Sequence, residues 1–305
     1  MSTRTWTISA IVLIAALTAF GQTAVQDPFF DNYIEAKAFG IPARGVDPRS
    51  AQGYATARTA AIAQAQAALA ARLNNIQVDS VQLIEMSAAI QDSVRTRLSA
   101  VIKGGTVVSE TNIDDYFKLP GNQERVEVVM RLPLAGSGGA IRPLMEALRP
   151  EIIKRQDELN LPVFTPVATA PAPAAPTAVP ATPATPAAPI AAEFDALIVQ
   201  VPTGFKPSMA PKILSDKGEV LFSVKDIAPD ILLSRGVAQY TNNEAKAKVI
   251  LEGMGAKAIL KVNGGIRGDT DAEVSTQDAS RIFGANKTTS MLSRGRVVFV
   301  VTRPS

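Results

Sequence analysis

The chain of 305 residues is 47% hydrophobic, 19% charged and 5% aromatic, enough for two domains of ordinary size. It contains neither Cys nor His, which excludes disulfides, thiolate nucleophiles, Cys/His zinc sites and imidazole acid–base chemistry. With 31 Lys and Arg against 28 Asp and Glu, the net charge of +3 is too small to call for nucleic acid or an acidic membrane surface as a partner.

Residues 1–24 carry one cation, Arg4, and then an uncharged run from Ile8 to Phe20 whose only polar side chains are Ser9 and Thr18. About thirteen such residues suit a secretory h-region and fall short of the roughly twenty that a membrane-spanning helix needs. Residues 1–24 therefore read as a signal peptide, cleaved at Ala19-Phe20-Gly21 or at Gln22-Thr23-Ala24, with an uncleaved anchor as the competing reading. No Cys follows to accept a lipid, so a lipoprotein is excluded. The expected location is periplasmic or secreted, with no stable transmembrane span.

Residues 25–161 read as a first α+β domain. A polar, Pro-containing stretch, Gln26 to Arg49, leads into an Ala-rich helix over 51–73, where helix propensity is high. Tyr54, Ile62, Leu69 and Leu73 lie near multiples of 3.6, with Ala61, Ala65 and Ala68 as small neighbours, so this face is expected to pack on a sheet. Ala57, Ala60, Ala63 and Ala67 are then left as small residues for a neighbouring subunit. The competing reading is that they too are buried inside the domain. Asn74-Asn75 stops the helix, and a strand alternates from Ile76 toward Glu85. A second helix follows over 87–103, closed by Gly104-Gly105. Strands at 106–118 and 124–134 read as a hairpin through Leu119-Pro120-Gly121-Asn122, giving the order helix, strand, helix, strand, strand. A closing helix over 140–160 must hold Pro143 in its first turn and bend at Pro150.

Residues 162–192 read as a linker. From Leu161 to Ala192 the chain is Ala, Pro, Thr and Val in the main, with nine prolines and no charge. Extended as polyproline II it reaches roughly 90 Å, which predicts two domains able to act well apart. Residues 193–305 read as a second small α+β domain. Ala196-Leu197-Ile198-Val199 suits a buried strand, and Ser215-Asp216-Lys217-Gly218 a hairpin turn between strands at 212–214 and 219–224. Helices at 243–251 and 276–292 alternate with strands at 256–262 and 296–301.

No motif carries chemistry. Gly253-Met254-Gly255 and Gly264-Gly265-Ile266-Arg267-Gly268 lack the Lys-Ser/Thr ending and strand-to-helix context of phosphate loops, and read as turns. Asp269, Asp271 and Glu273 lack the spacing of a calcium loop and read as a solvated loop. Glu110, Asp114 and Asp115 read as exposed acids rather than a glycosidase pair. The expectation is a protein that is not an enzyme, with no catalytic, cofactor-binding or metal-binding residue and no cofactor.

Residues 50–136 resemble the FlgP-like family of small bacterial envelope lipoproteins. The matching features are Ala57-Arg58 with Ala60-Ala61, then Ala65, Ala68-Leu69-Ala70 and Leu73, then Ile76-Gln77-Val78-Asp79-Ser80. Gly104 to Glu110 and Val126 to Met130 continue the match in order. The second domain is similar to the C-terminal region of larger uncharacterised exported proteins, through Pro207 to Leu214, Ser275 to Ala279 and Arg294 to Val298. The resemblance implies a non-enzymatic envelope protein whose relatives assemble into rings or discs around the flagellar motor; the missing acylated Cys departs from that family. The expected function is a structural or assembly role as a homo-oligomer, flagellar or associated with another surface structure. The alternative is a monomeric periplasmic adaptor that binds peptidoglycan or another envelope component or protein.

Overall fold

The computed structural model describes residues 28–79, 88–120, 124–136, 138–166 and 194–302. The expected signal peptide, most of the linker and most of the strand expected toward Glu85 lie outside these residues.

The first unit runs α1 (Pro28–Asp31), β1 (Tyr33–Gly40), α2 (Ala51–Asn74), α3 (Ala88–Lys103), β2 (Thr106–Glu110), α4 (Ile113–Lys118), β3 (Val126–Pro133) and α5 (Ile141–Glu158). Its three strands form an antiparallel sheet in the order β1-β3-β2. In the sequence this strand lies inside the polar, Pro-containing stretch Gln26 to Arg49, and Glu35 and Lys37 interrupt its apolar residues. Both charges are cross-strand partners: Glu35 lies opposite Arg131 and binds it at 2.8 Å, and Lys37 reaches Glu127 at 2.8 Å. Ile34, Ala36 and Ala38 alternate with them into the core, as a one-sided strand requires.

Helix α2 begins at Ser50, whose hydroxyl accepts from the amide of Gly53, a standard N-cap. Its buried stripe is Gly53, Ala57, Ala61, Ala65, Leu69 and Leu73, small where the sheet comes closest. A Cβ on Gly40 would stand 2.0 Å from the carbonyl oxygen of Ala57 and 2.4 Å from the amide nitrogen of Ala61. Backbone meets backbone there, and only glycine fits.

The expected hairpin is corrected in its connection. Strands β2 and β3 do pair, with a register shift between Val107 and Ser109, but α4 occupies part of what was read as strand. Asn112 caps α4 by accepting from the amide of Asp115, and Asp114 and Asp115 sit in its first turn, where the helix dipole favours negative charge. Tyr116 buries its ring edge-on to Tyr54 and donates to the carbonyl of Pro48 at 2.6 Å. Helix α5 holds Pro150 inside it, as expected.

The second unit runs β4 (Ala196–Val201), β5 (Ile213–Ser215), β6 (Val220–Phe222), α6 (Pro229–Arg235), β7 (Gln239–Thr241), α7 (Glu244–Gly253), β8 (Ile259–Arg267), β9 (Asp271–Val274), α8 (Thr276–Thr289) and β10 (Val297–Val301). Seven strands order as β6-β5-β9-β8-β4-β10-β7. The run β8-β4-β10-β7 is parallel, while β8 with β9 and β5 with β6 are antiparallel. Strand β10 is buried throughout, as expected of a strand covered on both faces. Its Val298 and Val300 pack with Ala247 and Leu251 of α7 on one side, while Val297, Phe299 and Val301 face the main core on the other. Strand β9, β7 and α6 were not anticipated, the first because its alternating carboxylates look like a solvated loop.

Both units are mixed α and β, as expected. The expectation of well-separated units is not what the structure shows: a single apolar cluster draws residues from both. The apolar side of α5, Ile141, Leu144, Met145, Leu148 and Ile152, is wide enough to meet α3 of its own unit and α6 of the other. The first residues of the expected linker also belong to the fold. Phe164 donates its amide to Val220, and Val220 to Pro162, so this stretch lies along the β6 edge.

Candidate functional site

Two places combine features that packing alone does not require: the outward side of α2 and the joint between the units. Between Arg58 and Arg72 helix α2 carries no charged residue, so its outward side is as uncharged as its inward side. Of the four small residues assigned to a neighbour, the structure keeps three off the core: Ala63 and Ala67 are exposed and Ala60 is half-buried. Ala57 is wholly buried beside Gly40 and is an intradomain contact. The helix gains about 0.4 residue per turn relative to a fourfold step, so spacing alone cannot place position 57. The deciding signal is Gly40, which lies on the strand that was missed. The charged ends of α2 are tied inward, Arg58 to Glu110 at 2.8 Å and Arg72 to the carbonyl of Glu35.

The joint is built from backbone as well as side chains. Met209 and Ala210 donate to the carbonyls of Gln77 and Val78 at 2.9 and 2.7 Å, and Gly136 donates to Ser234 at 3.0 Å. Phe29 meets Tyr240 edge-on at 5.5 Å, and Lys246 donates to the carbonyl of Phe30. Charges are buried beside these contacts. Lys212 binds Asp271 at 3.1 Å with both side chains largely covered, and Asp79, itself buried, lies 3.7 Å from Arg155. Burial pushes the Asp271 carboxyl above its ordinary value, Lys212 opposes this, and Asp79 adds to it. Burial likewise raises Asp226, against its bonds from Ser223.

The carboxylates noted in the sequence do not converge. Asp269 pairs with Lys206, Asp271 with Lys212 and Glu273 with Arg267; Glu110 is taken by Arg58 and Asp115 by Asn112 and Lys118. Among the described residues no group of three Asp or Glu side chains is placed to hold a metal ion. Gly264 and Gly265 lie within β8 rather than in a turn, whereas Gly268 makes the turn into β9 with φ of 63° and Gly255 ends α7 with φ of 79°. No helix among the described residues is long and apolar enough to cross a membrane.

Residues 193–303 match the family model described as the second domain of Treponema pallidum Tp0624. The C-terminal unit is thus similar to a domain found in a family of uncharacterised bacterial proteins. No curated protein matches the chain.

Proposed function

We propose that the chain is an exported, non-enzymatic envelope protein with a structural role, in which the first unit makes the contacts of a homo-oligomer. The observation that carries this reading is the uncharged outward side of α2 at Ala63 and Ala67. That side also carries Thr59, Gln64 and Gln66, which are polar but uncharged, so a neighbouring helix would meet no charge there, and small side chains let a second backbone come close. The short h-region at Ile8 to Phe20 supports export to the periplasm or beyond. The resemblance of residues 50–136 to FlgP-like proteins supports assembly, whether flagellar or in another surface structure. The test is sedimentation velocity on the mature chain over a range of concentrations, with Ala63→Leu and Ala67→Leu in parallel. The parent is expected to form a large species that either substitution reduces without moving the thermal midpoint. A monomer at every concentration would contradict this reading and favour an adaptor.

A further inference from the structure

Among the described residues the three-stranded sheet ends in β1 on one side and β2 on the other. A sheet edge is open to pairing with another chain unless the strand is short or bulged. Strand β2 has five residues and a register shift between Val107 and Ser109, whereas β1 pairs with β3 over eight residues without one. Leu134 donates its amide to the carbonyl of Asn32, so Ile34, Ala36 and Ala38 turn their N–H and C=O toward β3 by alternation. Those of Tyr33, Glu35, Lys37 and Phe39 then point to the edge, where Arg72 meets the carbonyl of Glu35. That oxygen keeps a second lone pair for a strand amide.

We propose that β1 pairs antiparallel with β1 of a second copy about a two-fold axis at Ala36, joining two three-stranded sheets into one. In this register Glu35 stands opposite Lys37 of the second copy and Tyr33 opposite Phe39, with edge groups meeting edge groups. An axis at Glu35 or at Lys37 would set like charges opposite each other, which destabilises a sheet. Within one copy Glu35 binds Arg131 and Lys37 binds Glu127. The charges therefore alternate in sign across the joined face: Arg131, Glu35, then Lys37 and Glu127 of the second copy.

The same pairing gives α2 its neighbour. Helix α2 lies over β1 and β3, so two copies of it on one joined sheet stand two strand spacings apart, about 10 Å, the separation of packed helices. Thr56, which accepts from the amide of Ala43 just past β1, and Arg72 mark the flank of α2 on the edge side. Ala60, Gln64 and Ala68 continue that line at four-residue steps, with Ala63 and Ala67 beside them. The inference rests on the homo-oligomer reading and names its surface.

Sedimentation velocity on two variants of the full chain tests it: Lys37→Glu, which leaves two acids on the edge, and Glu35→Lys, which leaves two bases. Each alone should associate at least about tenfold more weakly than the parent, since two opposed pairs turn repulsive. An equimolar mixture should recover association, because opposite charges then meet in the same register. Recovery on mixing separates a contact between copies from damage to the pairs with Arg131 and Glu127. If either variant does not fold, Glu35→Cys and Lys37→Cys serve instead. Paired strands set these positions about 5.5 Å apart between Cα atoms, within disulfide reach, so their mixture should cross-link faster than either alone. The inference is overturned if both charge variants assemble as the parent does, if folded variants do not recover on mixing, or if the cysteine mixture cross-links no faster. Assembly lost in Ala63→Leu but kept in Lys37→Glu would refute this edge and spare the assembly reading, whereas a monomeric parent refutes both.

Discussion

The two sheets solve the problem of burial differently. In the three-stranded sheet β1 and β3 show one face to α2 and carry charge on the other, so β1 reads Tyr-Ile-Glu-Ala-Lys-Ala-Phe-Gly and buries every second residue. In the seven-stranded sheet the neighbouring strands β4 and β10 are covered on both faces, and β10 is simply Val-Val-Phe-Val-Val. A one-sided strand relies on cross-strand charge pairs and on a close helix. A two-sided strand relies on continuous apolar surface. The first arrangement is therefore more sensitive to single small residues, and substitutions can sharpen or break that contrast.

The largest effect is expected at Gly40. A branched side chain there has no space between β1 and α2, so Gly40→Val should cost more than about 4 kcal/mol, beyond the ordinary range for single substitutions. Urea denaturation of the full chain checks this, and a near-native midpoint would refute the close approach. Next is Lys212→Met, which leaves Asp271 buried without its cation. Removing one partner of such a pair costs about 3 kcal/mol. The cost should shrink on acidification, because Asp271, already raised by burial, then takes up a proton; midpoints measured across acidic and neutral pH read that trend.

Ala57→Leu should overpack the inner face of α2 and cost about 1 to 3 kcal/mol, seen as a lowered thermal midpoint. A smaller effect belongs to Asp226. Its carboxyl is raised in the folded chain, so the folded state binds that proton more readily than the unfolded chain does. The corresponding stability is present below the ordinary carboxylate range and is lost as pH rises through the folded value. Asp226→Asn keeps an acceptor for Ser223 and should flatten this part of the pH profile.

What could be read from the sequence follows the same contrast. The continuous runs 196–201 and 297–301 and the capped helices at Asn243 and Ser275 announce themselves through local composition, and the structure places elements there. Strand β1 escaped because its charges are explained only by Arg131 and Glu127, about a hundred residues further along the chain. The joint escaped for a similar reason. Nothing near Gln77 or Val78 signals that their carbonyls meet Met209 and Ala210, and the uncharged linker suggested separation instead. Of the small residues on α2, Ala63 and Ala67 could be placed from helical spacing, whereas Ala57 needed Gly40.

The claim that α2 has one face for its own sheet and another for a neighbour can be tested most directly with a single thiol, since the chain has no other Cys. Ala67→Cys at an exposed position should leave the thermal midpoint within about 0.5 kcal/mol of the parent in stability. Its reaction with a thiol reagent is measured at rising protein concentration. Rapid labelling in dilute solution that becomes slow as the large species forms is the predicted result, and equally rapid labelling at every concentration would contradict the account.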